Sequence, residues 1–80
     1  MTRANRAYRL IVRRGGWAPG WMDPDRVDHV EVVEVDGGEV VLFWDVRPDQ
    51  ARRLVRALRT DLAGMDAEEF MATWRVRRTA

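Results

Sequence analysis

The sequence predicts an α+β fold, in which a three-stranded antiparallel sheet carries one long helix and a short C-terminal helix, in the chain order βββαα. Segments rich in β-branched residues alternate between apolar and polar side chains, which is typical of half-buried strands. Asp36, Gly37 and Gly38 separate two of these segments, as they would in a hairpin. The segment after the hairpin has apolar residues at helical spacing, which predicts the long helix.

The first predicted strand covers residues 7–14. One of its faces is apolar and consists of Tyr8, Leu10 and Val12. On the other face, Ile11 stands between two arginines. This period of two predicts a strand with one face turned towards a core.

The hairpin is the strongest pattern in the chain, with strands predicted over residues 29–35 and 39–46. An Asp-Gly pair between β-rich segments favours a turn with positive φ. Val32 and Val33 are adjacent, so the alternation of the first hairpin strand slips, which predicts a bulge near this pair. Four apolar residues on the second strand are expected to face the helix: Val40, Leu42, Trp44 and Val46.

The long helix is predicted over residues 47–64. Pro48 suits its first position, and Gly64 is typical of a helix end. Its apolar residues recur at a spacing of three or four positions and form a core-facing stripe: Ala51, Leu54, Val55, Leu58, Leu62 and Met65. Asp66 and Glu69 then match a capping box, which predicts the start of the short second helix.

Eighty residues are enough for one domain, so we expect residues 1–80 to form a single domain, with a flexible arm at residues 1–6 and a basic tail at residues 75–80. A domain this small has a marginal core of its own. The chain has no cysteine, so disulfides are excluded as a source of stability. Self-association is therefore the remaining route to more buried surface.

The composition argues against an enzyme, because the chain has no Cys, Ser or Lys and only one histidine, His29. Those residue types supply most side-chain nucleophiles and general bases. Asp23, Asp25 and Asp28 precede the histidine, but this run lacks the glycine and distal glutamate of a calcium loop. We therefore expect no cofactor and no metal. The chain also has no apolar stretch long enough for a membrane span or signal peptide, which predicts a cytoplasmic protein.

The sheet face turned away from the long helix is the first candidate site, because it is predicted to be apolar where a solvated face is normally polar. Its expected members are Ile11, Val33, Val35, Val41 and Phe43. Either the second helix or a second copy of the chain would cover it. We favour the second copy, which makes this face a self-association surface.

Two other segments are candidate partner sites. Trp17, Trp21 and Met22 lie in a segment rich in Gly and Pro and would suit an aromatic contact with another protein, or would plug one end of the sheet. Several arginines fall on one stripe of the long helix, where they would either follow phosphates or simply form a solvated face. They are Arg52, Arg56 and Arg59.

Residues 35–58 have the sequence Val-Asp-Gly-Gly-Glu-Val-Val-Leu-Phe-Trp-Asp-Val-Arg-Pro-Asp-Gln-Ala-Arg-Arg-Leu-Val-Arg-Ala-Leu. This run resembles a hairpin-then-helix unit of small regulators from high-GC filamentous bacteria. BldB-like developmental proteins and the dimerisation domain of certain nucleoid-associated silencers are examples. The similarity covers residues 28–65, but Arg47 stands where that unit has a Thr or Ser cap, and no DNA-binding domain follows within this sequence. It implies a homodimer in a regulatory or assembly role and transfers no site residues.

The leading hypothesis is therefore a small, non-enzymatic homodimer that binds another macromolecule, a protein, through the tryptophan segment or a sheet edge. The alternative is a nucleic-acid-associated protein that uses the arginine-rich helix stripe. An enzyme with carboxylates as its acid-base groups is the third reading, and the composition disfavours it most.

Overall fold

The computed structural model describes residues 2–15 and 26–79, with side chains as far as residue 75. Its elements are α1 (Ala4–Ala7), β1 (Tyr8–Arg13), β2 (Asp28–Glu34), β3 (Val40–Val46), α2 (Pro48–Gly64) and α3 (Ala67–Thr79). The strands form one antiparallel sheet in the order β1-β2-β3. The predicted α+β architecture of three antiparallel strands, a long helix and a C-terminal helix is confirmed, and the short α1 precedes it.

Helices α2 and α3 pack against the same face of the sheet, which we call the inner face. Leu10, Val32 and Leu42 form one row of this face across the three strands. The core joins the inner face to apolar residues of α2 and α3, namely Leu58, Leu62, Phe70, Met71 and Trp74. An edge-to-face contact between the rings of Trp44 and Trp74, with centroids 5.8 Å apart, fixes α3 beside β3. The opposite, outer face is therefore left uncovered by either helix.

A β-bulge lies where the two adjacent valines of β2 predicted an irregularity. Val32 pairs with Leu42 and Val33 pairs with Val40, so Val41 is the extra residue. The bulge is confirmed, but the extra residue belongs to β3, and β2 keeps its alternation. Val41 was expected on the outer face, and this expectation is wrong, since its side chain packs against the core. Because of the extra residue, Val40 before it and Leu42 after it lie on opposite faces of the sheet, whereas strict alternation would place them on the same face.

The hairpin turn has the positive φ angles that its sequence predicts. Gly37 has φ of 84° and Gly38 has φ of 70°. Two backbone hydrogen bonds close the turn, one donated by the Glu34 amide to the Glu39 carbonyl at 2.8 Å and one by the Gly38 amide to the Glu34 carbonyl at 3.1 Å. Glycine adopts this left-handed region without the Cβ penalty of other residues.

Gly38→Ala is expected to lower the free energy of unfolding by about 1 kcal/mol, because an alanine Cβ is strained at positive φ. Gly64→Ala is the matched control, since Gly64 lies in the last turn of α2 with no atom within 4 Å of an added Cβ. In a helix the same change is expected to be neutral or to stabilise by up to about 1 kcal/mol. Urea denaturation of the two variants measures the difference, and equal effects would contradict the assignment of the turn.

The segment before β1 packs against the junction of α2 and α3. A flexible arm was expected at residues 1–6, and the described residues of this segment do not form one. The amide of Ala4 donates to the Met65 carbonyl at 3.0 Å, and the amide of Ala67 donates to the Thr2 carbonyl at 2.8 Å. Ala4 is fully buried in the core. A small side chain fits into the junction of α2 and α3, which no periodic pattern in the sequence signals.

Helix α3 begins at the predicted cap. The backbone amide of Glu69 donates to Oδ1 of Asp66 at 2.8 Å, which satisfies one of the free amides of the first turn. The helix continues to Thr79, so the backbone of the expected basic tail at residues 75–80 is helical as far as the structure describes it.

Candidate interaction site on the outer sheet face

The outer face of the sheet exposes apolar side chains without a covering element in the described part of the chain. Phe43 is 38% exposed, Val40 is 48% exposed and Val35, in the turn beside them, is 46% exposed. Ile11 is half-buried on β1. The solvated face of an antiparallel sheet is normally polar, so these exposed apolar side chains make the outer face a candidate interaction surface.

A hollow lies in the outer face above the central strand. Val33 forms its floor and is only 7% exposed, although it lies outside the core cluster. Side chains of the neighbouring strands enclose it, among them Arg9, Ile11 and Val40, and leave a depression of about 280 Å³. A depression with an apolar floor accepts an apolar side chain from outside and would bury it on several sides.

The charges on the outer face differ between its two edges. Arg9 and Arg13 are exposed on β1, and Asp45 is exposed on β3 at the level of Arg13. Between them, His29 of β2 hydrogen-bonds to Asp45, and its ring stacks against Phe43 with centroids 6.0 Å apart. One edge of the face is therefore basic, and the other is acidic.

The structure brings together most of the residues that the sequence predicted for this face. Ile11, Val33 and Phe43 lie on it, and Val35 lies in the adjoining turn. Val41 is the exception, because the bulge turns it towards the core. Val40 takes its place on the outer face, and strict alternation along β3 excluded it from the prediction.

The residues predicted to bind a protein partner, Trp17, Trp21 and Met22, lie outside the described residues, as do Asp23 and Asp25. Of the acidic run next to the histidine, Asp28 and His29 are adjacent on β2 and therefore belong to opposite faces. Across residues 2–15 and 26–75, no group of three His, Asp or Glu side chains is arranged to hold a metal ion.

A second surface feature, which we call the basic groove, lies between α2 and the edge strand β1 on the inner side of the sheet. It is an open groove of about 580 Å³, and the three arginines of the predicted stripe line it. These are Arg52, Arg56 and Arg59. Val12 and Val55 provide apolar wall, and the carboxylate of Asp28 lies at the floor.

The floor of the basic groove carries a buried ion pair. Nη2 of Arg26 donates to Oδ2 of Asp28 at 3.3 Å, and Nε lies 3.2 Å from Oδ1 at an angle that makes no hydrogen bond. Both side chains are less than a tenth exposed. Since the buried carboxylate is already compensated by a cation, it does not neutralise the arginines at the rim.

Comparisons of the chain with protein-family models, curated proteins and solved structures find no match. No helix in the described ranges is long and apolar enough to cross a membrane.

Proposed function

We propose that this chain is a small, non-enzymatic interaction protein that acts as a homodimer, and that the outer sheet face is the contact between the two copies. The observation that carries the proposal is the packing of α2 and α3 on the inner face alone, which leaves Phe43 and Val40 exposed. A second copy of the chain covers both outer faces at once. The resemblance of residues 28–65 to dimeric regulators supports a regulatory role for this dimer.

The size of the apolar surface indicates a weak dimer. Full burial of an apolar side chain contributes roughly 1.5–3 kcal/mol. Phe43, Val40 and Val35 are already more than half buried in the single chain, so covering the remainder on both copies contributes on the order of 5 kcal/mol before association costs. These costs are of similar size. We therefore expect a reversible dimer, dependent on concentration, to which polar contacts at the edges of the face must contribute.

The charges and the hollow favour one arrangement of the two copies. Stacked sheets pack about 10 Å apart with their strands roughly aligned. A two-fold axis parallel to the strands and above β2 places β1 of one copy over β3 of the other. Arg13 then faces Asp45 of the second copy, and Phe43 lies over the partner's hollow beside Ile11. An axis perpendicular to the strands would instead stack basic β1 on basic β1.

A charge exchange tests this arrangement. Arg13→Asp and Asp45→Arg are each expected to weaken the dimer about tenfold, because each places like charges opposite one another at two symmetry-related positions. The double variant restores opposite charges and is expected to recover most of the affinity. Light scattering over a concentration series measures the dissociation constant of each protein.

Arg53→Asp is the control, since Arg53 is exposed on α2 away from the outer face and the basic groove. A monomer at all concentrations up to about 0.5 mM would contradict the homodimer, because interfaces of this class are weak but measurable there. A dimer in which the double variant is weaker than either single variant would retain the homodimer and contradict the strand-parallel axis.

Beyond self-association, we propose that the dimer binds a protein partner in the cytoplasm. Trp17, Trp21 and Met22 are the residues that we assign to this contact, because aromatic side chains and methionine are enriched at the centres of protein interfaces. The assignment requires that the double variant Trp17→Ala, Trp21→Ala loses partner binding and still forms the dimer.

Nucleic-acid binding is the alternative function, and one observation favours it. Arg52, Arg56 and Arg59 line the same groove, and none of them forms an ion pair with another described residue. Three guanidinium groups on one stripe can contact successive phosphates. Binding of this kind is electrostatic, so it requires an affinity that falls steeply as the salt concentration rises.

A further inference from the structure

The basic groove adjoins a free edge of the sheet. β1 is an edge strand. Outside its pairing with β2, the backbone hydrogen bond that joins Tyr8–Arg13 to another described residue is the one that the Tyr8 amide donates to the Ala4 carbonyl, at the opposite end of the strand from Val12. Val12, near the end of this strand, is 44% exposed and forms part of the groove wall. An unpaired strand edge is a template on which an extended peptide can form a further strand.

We propose that the basic groove and the β1 edge bind an acidic, extended peptide segment of another protein, which joins the sheet as a fourth strand. The backbone of the segment would pair with β1. Every second side chain would then point to the inner side, where α2 lies. The groove therefore selects the side chains, and the strand edge supplies the backbone hydrogen bonds.

The spacing of the arginines suits a bound strand. Side chains on one face of a strand recur about every 6.6 Å. Arg52 and Arg56 are separated by about 6 Å along the helix axis, and Arg56 and Arg59 by about 4.5 Å, from a rise of about 1.5 Å per residue. Inward carboxylates of a segment that runs along α2 would therefore come within reach of successive guanidinium groups, which hydrogen-bond carboxylates in a planar, bidentate geometry.

The groove walls favour a peptide over a nucleic acid. Val12 and Val55 offer apolar contact to the stems of inward side chains. None of the described residues that line the groove is aromatic, so it offers no platform on which a base can stack. The groove lies on the inner side of the sheet, so it stays open when the outer faces of two copies meet. The site goes beyond the proposed dimer contact and does not depend on it.

The test uses fluorescence anisotropy with a labelled eight-residue peptide of alternating glutamate and valine. A peptide of alternating lysine and valine and a single-stranded oligonucleotide of the same length serve as comparison ligands. The full chain is expected to bind the glutamate peptide, and Arg56→Glu is expected to weaken this binding at least about tenfold. Arg53→Glu makes the same charge change on the same helix outside the groove and is expected to weaken it less than about threefold.

Amide hydrogen exchange measures whether the backbone of β1 is paired, which a purely electrostatic contact with the arginines would not change. Peptide binding is expected to slow the exchange of β1 amides, because strand addition pairs the free edge. Absence of glutamate-peptide binding, equal losses in the two arginine variants, or unchanged β1 exchange would each overturn the proposal. Tighter binding of the oligonucleotide than of the peptide would also overturn it and would favour the nucleic-acid alternative. Light scattering measures the dimer independently, so a failure of peptide binding would not contradict the dimer, and a failure of dimerisation would not contradict the peptide site.

Discussion

Phe43→Asp is expected to convert the protein to a monomer at concentrations at which the unaltered chain is a dimer. The side chain lies on the outer face, where the proposed contact removes it from water in both copies. A buried carboxylate without a partner costs several kcal/mol, and each copy would bury one. Because 1.4 kcal/mol corresponds to a factor of ten, the dimer should weaken more than about 100-fold. Light scattering over a concentration series checks this result.

Two exposed valines on edge strands supply a matched control for this prediction. Val40 is 48% exposed on the outer face, and Val12 is 44% exposed on the inner side. Val40→Arg is expected to break the dimer as Phe43→Asp does, because Val40 lies at the level of Arg9 and the new guanidinium would face Arg9 of the second copy. Val12→Arg is expected to leave the dimer intact. Thermal unfolding establishes that each variant is folded. If folded Phe43→Asp and Val40→Arg proteins still dimerise like the unaltered chain, the contact lies elsewhere.

Phe70→Ala is expected to cost about 3–5 kcal/mol of unfolding free energy, which is the range for deleting a fully buried phenylalanine ring. Phe70 is completely buried where α1, β1 and α3 meet. Its ring stacks on Tyr8 with centroids 5.8 Å apart and contacts Trp74 at 6.2 Å. Nε1 of Trp74 in turn donates to Oδ2 of Asp61 at 3.0 Å, which ties α3 to α2. A cavity at this position therefore weakens the attachment of α3.

A loss of this size is comparable to the whole stability of a small domain, so the Phe70→Ala chain should be largely unfolded at 37 °C. Urea denaturation followed by tryptophan fluorescence measures the loss. Phe43→Ala provides the comparison, because it removes the same ring from an exposed position and should cost less than about 1.5 kcal/mol in the monomer. Equal costs for the two variants would contradict the placement of the core.

The main elements of this fold were predictable because their patterns are local. The positive φ angles of Gly37 and Gly38 follow from an Asp-Gly-Gly turn, and the cap at Asp66 follows from the glutamate three residues later. The docking of Ala4 was not predictable in this way. It depends on a junction formed by residues more than sixty positions later in the chain, and a single small apolar residue leaves no periodic signal.

The candidate sites were predictable in part for the same reason. Alternation placed Ile11 and Phe43 on the outer face, but one extra residue in β3 exchanged Val40 for Val41. Sequence shows that alternation slips near adjacent valines, but it does not show which strand carries the extra residue. The arginine stripe follows from helical spacing, whereas the groove beside it depends on how α2 lies across the sheet, which is a tertiary property.

The docking of the first residues onto the α2–α3 junction has a consequence for folding during synthesis. Nη1 of Arg3 donates to the Ala63 carbonyl, and the Thr2 carbonyl accepts from the Ala67 amide. These contacts cannot form until the ribosome has translated and released the segment that carries them. Native contacts so far apart in sequence also slow the search for the folded state. During synthesis, Ala4 therefore stays exposed to water until the α2–α3 junction, residues 63–67, has left the ribosome.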